Sequence, residues 1–291
     1  MVSESSIIPL VRAAHPRNHI VDLLIAERAP RLAASAVWPL ARPAIYALLD
    51  YRRARAMADA IAPLSGVAAL QHISDLLSLR VTARGLDRVP RSGRLVIVCN
   101  HPTGIADALA VHDLLLPIRR DMMFYANSDA HRIAPRFDEV LIPVEWREDK
   151  RTRERTRMTL TMTRRAMEAE CALMIFPAGR MARASPDGHL ADPRWAPSAL
   201  SVARKYEAPI LPMHLSGPWS TLFQLFNRFS RELRDMTIFH ELLNKRGKAF
   251  RLIVGRPVAA DALPLDPTEA ADAMQAYVEK GLPADPEGTF A

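Results

Sequence analysis

From Leu79 onward the chain alternates short, β-branched apolar runs with longer helical stretches, and this alternation limits its fold more than any other feature. The apolar runs are Leu95–Cys99, 122–127 (MMFYAN), 140–146 (VLIPVEW), 171–176 (CALMIF), 208–215 (APILPMHL) and Phe250–Val254, with a shorter run near residues 79–84. Each is bounded by turn residues, which is the signature of a strand. Between them, Ala106–Leu116 reads as a helix that stops before Pro117, and 149–169 as a long polar helix. Asp266-Pro267-Thr268-Glu269 opens a final helix: Asp caps, Pro fits the first turn, and Glu follows three positions on. That helix is expected to end at Lys280-Gly281. Strands separated by helices imply an α/β fold, with a mostly parallel central sheet flanked by helices.

Residues 1–80 have a different texture. They are Ala-rich and helical, broken at Pro30, Pro39, Pro43 and Pro63. The expected division is therefore an N-terminal helical region over 1–80 and an α/β domain over 81–291 that closes with a helix. Residues 183–197 form a Pro-, Gly- and Asp-rich loop long enough to be functional.

The charge narrows the partners. Lys and Arg outnumber Asp and Glu by 39 to 32, a formal +7, which favours an anionic partner: nucleic acid, a membrane surface or a phosphorylated substrate. Two cysteines, Cys99 and Cys171, exclude a disulfide scaffold and a four-cysteine zinc site. The most apolar stretch, 32–49, holds Arg42 and two prolines, so it does not read as a membrane span. It reads either as a helix lying in the membrane interface, with Trp38, Ile45, Tyr46 and Leu48 flanked by Arg28, Arg31, Arg52 and Arg53, or as ordinary helices packed on a core. The basic run 147–165 has little aromatic interleaving, so a base-stacking surface is not expected. It is either a solvated helix face or a patch for anionic lipid or donor phosphate.

The chemistry concentrates at Cys99-Asn100-His101-Pro102-Thr103-Gly104-Ile105-Ala106-Asp107. The segment follows a buried strand and precedes a helix, where open α/β sheets place their ligands. Pro102 and Gly104 can turn the chain back so that the Asp107 carboxylate meets one nitrogen of His101. The other nitrogen is then free to take a proton from a hydroxyl. Cys99 lies within the strand and reads as a buried small residue, not a nucleophile.

Asn100-His101 followed closely by Asp107 resembles the signature of the glycerophospholipid acyltransferase family, which includes 1-acylglycerol-3-phosphate acyltransferases. The family places four residues between His and Asp; here there are five, and Gly104 is the residue able to absorb the extra one. Asp113 is the fallback partner. Three further blocks resemble the family in order: Ile142–Arg147, Phe176-Pro177-Ala178-Gly179-Arg180 and Pro209–Met213. The resemblance spans roughly residues 80 to 216. It implies acyl transfer from an acyl thioester (acyl-CoA or acyl-ACP, a co-substrate and not a cofactor) to a lysolipid hydroxyl in membrane lipid biosynthesis. His101 is then the general base and Asp107 its partner. Asn100, Thr103, Gly104, Arg147, Pro177, Gly179 and Arg180 are the expected substrate-binding residues, with the Thr103 and Gly104 amides as candidate oxyanion donors. No metal is implied, and nucleic acid is not an expected partner. An anionic membrane surface is, at the cytoplasmic face, with peripheral or monotopic attachment.

One departure stands out. Ala178 occupies the place where the family carries glutamate. The pattern, with the tail 220–258, resembles the hemolysin-like or ornithine-lipid acyltransferase-like subgroup. Two alternatives stay open from sequence: a lyso-ornithine-lipid-type O-acyltransferase, and a non-catalytic lipid-binding relative.

Overall fold

The structure is a computed structural model, and it describes residues 18–145, 151–184 and 190–290. Among them a seven-stranded sheet runs in the order β1 (Arg80–Arg84), β9 (Ala249–Val254), β8 (Ile210–Ser216), β2 (Leu95–Cys99), β5 (Ala172–Ile175), β3 (Met122–Asn127), β4 (Leu141–Val144). The five strands from β8 to β4 are mutually parallel. β9 runs antiparallel to β8 and carries β1 parallel to itself. This is the mixed, mostly parallel sheet expected from the alternation of runs. β2 sits at the centre, and every residue of its LVIVC run is buried. A strand covered on both faces and paired on both edges needs apolar side chains at every position.

The period of two sorts those side chains between layers. Leu95, Ile97 and Cys99 enter one core with α1 (Ile20–Arg28), α4 (Tyr51–Ile61), α5 (Gly66–Leu77) and α6 (Ile105–Leu115). Val96 and Val98 enter the other, with α8 (Arg153–Glu168), α9 (Ser198–Lys205) and α13 (Pro267–Ala276). The N-terminal helices thus share the core of the sheet: Val21, Leu24, Met57, Ile61, Ile73 and Leu77 are all buried there. The short α2 (Pro30–Ala33) and α3 (Trp38–Leu48) bury no residue fully. α7 (Asp129–Ile133) follows β3, and α10 (Thr221–Phe229), α11 (Arg231–Met236) and α12 (Ile238–Leu243) fill the span between β8 and β9. At the pole opposite the β2 carboxyl end, buried Arg119 donates to the carbonyls of Pro90, Gly93 and Glu170 and pairs with Asp121, joining three connections with one side chain.

Several local expectations need correction. The polar helix starts at Arg153, because Thr152 turns extended and its hydroxyl caps Arg155 N–H. The 183–197 loop contains two short antiparallel strands, β6 (Arg183–Ala184) and β7 (Leu190–Ala191), around residues outside the described set. Gly281 does not end the last helix. Its φ of −64° is helical, and α13 continues through a π turn at Tyr277–Gly281 to Leu282–Ala284. Burial explains this: the continuation puts Val278 and Leu282 fully into the core.

The interfacial-helix expectation is also revised in part. Arg28 pairs with Asp129 at 2.7 Å and does not face outward. Tyr46 stacks on Tyr51, and both hydroxyls donate to Asp22. The exposed apolar residues of this region are Val37, Leu40 and Leu48. Among the described residues no helix is long and apolar enough to cross a membrane.

Candidate active site

The carboxyl end of β2 delivers Asn100 and His101 into a sharp turn before α6. Asp107, in the first turn of α6, is fully buried, and its Oδ2 lies 2.9 Å from His101 Nδ1. A buried carboxylate can only accept, so Nδ1 carries the proton and Nε2 is left as the basic nitrogen. Oδ2 also accepts the backbone N–H groups of Thr103 at 2.9 Å and Gly104 at 3.1 Å, while the Thr103 hydroxyl donates to Oδ1. Four donors converge on the carboxylate and fix its plane. The His101 ring stacks on Phe176, centroids 4.3 Å apart. Asp113, the fallback partner, binds His112 instead.

The extra residue between His101 and Asp107 is absorbed at Gly104, at φ 95° and ψ −143°. That conformation is open to glycine and strained for residues with a Cβ. A Cβ there would also stand 2.4 Å from Met181 Sδ. Gly104→Ala is therefore expected to cost about 1–3 kcal/mol of stability from backbone strain alone. By displacing His101 from Asp107 it should lower kcat by roughly 100-fold. Thermal unfolding and steady-state kinetics on the purified variant check both; wild-type kcat would show that the turn tolerates a Cβ.

The expected site residues divide. His101, Gly104, Gly179 and Arg180 line one open cleft of about 2450 Å³, and His101 and Asp107 are brought together beside it. Gly179 turns at φ 63° to let the loop after β5 pass close to the site. Asn100 does not line that cleft: Nδ2 donates to Leu215 O at 2.9 Å and Oδ1 accepts Leu215 N–H at 2.7 Å, which locks β2 to β8. Pro177 is buried, and its carbonyl accepts Ala196 N–H. The Thr103 and Gly104 amides, expected as oxyanion donors, point instead at Asp107. Arg147 lies outside the described residues. Burial and the Asp107 and Asp192 charges push the Cys99 thiol well up, so it is not a thiolate nucleophile. Among the described residues no group of three or more His, Cys, Asp or Glu side chains is placed to hold a metal ion.

Two features of the cleft were not legible as a unit in the sequence. The first is a set of arginines: Arg180 and Arg183 from the loop after β5 face Arg231 and Arg234 of α11. Burial and the charges of Arg234, Arg180 and Arg231 push the Arg183 guanidinium down, with Asp235 acting against them. Arg234 is held by Asp235 and Asn227. Arg180 and Arg183 have no hydrogen-bond or ion-pair partner among the described residues. The second is a set of apolar side chains, Met123, Tyr125, Met158, Met162 and Phe223, that also line the cleft. The cleft thus brings the His101 imidazole together with a cationic and an apolar set of side chains.

Residues 80–216, just under half of the chain, match the family described as Acyltransferase, and this match together with the curated relatives supports reading the chain as an O-acyltransferase. Among curated proteins it is 24% identical over 203 residues to a lyso-glycine lipid O-acyltransferase of Phocaeicola vulgatus, covering 66% of this chain and 69% of that one. It is 21% identical over 199 residues to the lyso-glycine lipid O-acyltransferase of Bacteroides thetaiotaomicron, covering 66% and 71%. Among solved structures, the 1-acyl-sn-glycerophosphate acyltransferase PlsC of Thermotoga maritima aligns over 91% of this chain and 96% of its own, with a TM-score of 0.46 and 16% identity.

Proposed function

We propose that this enzyme moves a fatty acyl group from an acyl thioester, acyl-CoA or acyl-ACP, to the hydroxyl of a lysolipid with an anionic headgroup. The His101–Asp107 pair at the edge of the cleft carries this reading. His101 Nε2 takes the proton of the acceptor hydroxyl as its oxygen attacks the thioester carbonyl. Asp107 stabilises the imidazolium that forms. The tetrahedral intermediate collapses, its C–S bond breaks, and the imidazolium returns the proton to the departing thiolate. The products are an ester and a free thiol, with no covalent acyl-enzyme.

Arg180, Arg183 and Arg231 hold the acceptor's headgroup; a guanidinium fork suits carboxylate and phosphate alike. The relatives named for lyso-glycine lipids favour a carboxylate-bearing headgroup. Ala178 fits the same reading, because the family's glutamate would bring a negative charge beside Arg180. Helices α2 and α3 and the start of α4 rest on an anionic membrane at the cytoplasmic face, presenting Val37, Leu40 and Leu48 between Arg31, Arg42, Arg52 and Arg53. Residues 81–291 carry the catalytic groups, and helices α1, α4 and α5 complete their core.

Thiol release is the direct test. Long-chain acyl-CoA and acyl-ACP are supplied with lyso-glycine lipid, lyso-ornithine lipid, lysophosphatidic acid or an uncharged lysolipid. Acceptor-dependent thiol release is expected with the anionic acceptors; release that ignores the acceptor, or none with any of them, overturns the reading. Arg183→Ala and Arg231→Ala should each raise the acceptor KM roughly 10-fold, from the loss of one charge-assisted hydrogen bond, with kcat within about threefold. A fall in kcat at unchanged KM would place these arginines outside the headgroup site.

A further inference from the structure

Behind the catalytic histidine lies a second carboxylate that no step of the reaction uses. Asp192 follows β7 and is 9% exposed. Both of its carboxylate oxygens lie 3.1 Å from the backbone nitrogen of His101, which donates to them. Oδ2 also accepts the indole N–H of Trp195 at 3.0 Å. The Asp192 N–H in turn donates to Glu279 Oε1 at 2.9 Å, which ties the loop to the far end of the last helix. On the other side of the same residue, the His101 carbonyl accepts Ala182 N–H at 2.9 Å. The ring of His101 is thus aimed by Asp107 and Phe176, and its backbone is clamped on both sides by the segment from Ala182 to Asp192.

We propose that Asp192 is a positioning residue of this acyltransferase: its carboxylate fixes the His101 peptide, so that the imidazole stays on Asp107 and in reach of the acceptor hydroxyl. This rests on His101 being the base.

A charged carboxylate serves the clamp better than a neutral one, because an N–H bond to an ionised acceptor is shorter and stronger. The site makes that charge costly. Asp192 is pushed up to about 7: burial raises it most and Glu279 adds to this, against the lowering effects of the Trp195 bond, the His101 charge and the His101 N–H bond. The other titratable groups around it are Asp107 and Cys99 beyond His101, and His214, which shares with Asp192 and Glu279 a pocket of about 200 Å³ behind the turn. Burial holds His214 down toward its neutral form, and its Nδ1 faces the Val278 carbonyl. Asp192 is therefore neutral on the acid side of its pKa and charged on the alkaline side. Removing that charge removes the titration of Asp192 itself, which moves the acidic limb of the rate profile to lower pH.

The experiment compares Asp192→Asn, Asp192→Ala and Trp195→Phe with wild type and His101→Ala. Acyl-CoA and lyso-glycine lipid are the substrates, from pH 5 to 9, and each thermal transition is recorded. Asp192→Asn keeps an acceptor for both N–H groups. It should hold kcat within about fivefold at pH 8.5, with the acidic limb of kcat/KM moved to lower pH. Asp192→Ala should lower kcat roughly 10- to 100-fold with both KM values within about threefold, since misplaced catalytic geometry costs this much. Trp195→Phe removes one donor from the carboxylate and should move the acidic limb to higher pH, opposite to Asn. That opposition tests the clamp even if the Ala variant does not fold. Wild-type kcat in a folded Asp192→Ala, or a limb unmoved in both Asp192→Asn and Trp195→Phe, overturns the proposal. Undiminished turnover in His101→Ala overturns the base assignment instead.

Discussion

His101→Ala should lower acyl transfer by at least about 10³-fold at every pH, because the acceptor hydroxyl then has no base in reach and the leaving thiolate no proton donor. The protein should remain folded. Truncation removes the stacking contact with Phe176 and one of the bonds to Asp107. The Asp107 carboxylate still accepts the Thr103 and Gly104 amides and the Thr103 hydroxyl, so no buried charge is orphaned. The His101 backbone bonds to Asp192 and Ala182 are also untouched. A thermal midpoint near that of wild type, together with loss of thiol release, is the expected pair of results. Turnover within about tenfold of wild type would sink the mechanism.

Asp107→Asn should cost nearly as much, roughly 10²- to 10⁴-fold in kcat, by a different route. The amide can place its oxygen at Oδ2 to serve the two backbone donors and the Nδ1 proton, and its NH₂ toward the Thr103 hydroxyl, which can accept. The turn is kept and the charge is lost. His101 then has no anion to stabilise its protonated form during the reaction. The acceptor KM should stay within about threefold, because Asp107 is fully buried and touches no substrate. Asp113→Asn serves as the control. Its carboxylate binds His112, and kcat should be unchanged. If the two variants exchange these outcomes, the partner of His101 is Asp113.

Much of this was readable in the chain because buried parallel strands leave continuous apolar runs. All six long runs became sheet strands within a residue or two of their expected bounds. The pairing of His101 with Asp107 rests on one residue whose freedom is visible in the sequence, Gly104. What could not be read depends on distant segments meeting. α9 has no side-chain cap and only eight residues, so it carried no local signal. Asp192 looked like one more polar residue in a proline-rich loop; only the β6–β7 pairing brings it under His101. Arg231 and Arg234 lie beyond the matched region 80–216 and reach the cleft through α11. The Thr103 and Gly104 amides were misjudged because a buried carboxylate three or four residues ahead claims them before any ligand can.

The bonds that frame His101 also say when activity can begin. Asn100 is tied to a residue 115 positions later, and His101 to one 91 positions later. Such long-range pairings form only after the intervening chain has been made and gathered in, which is slow for parallel topologies. On the ribosome, a nascent chain that has not yet released Leu215 has His101 but nothing to hold it in register. Secondary structure should therefore be complete before the first turnover is detected during refolding. A truncated product ending before β8 would be inert as well as less stable.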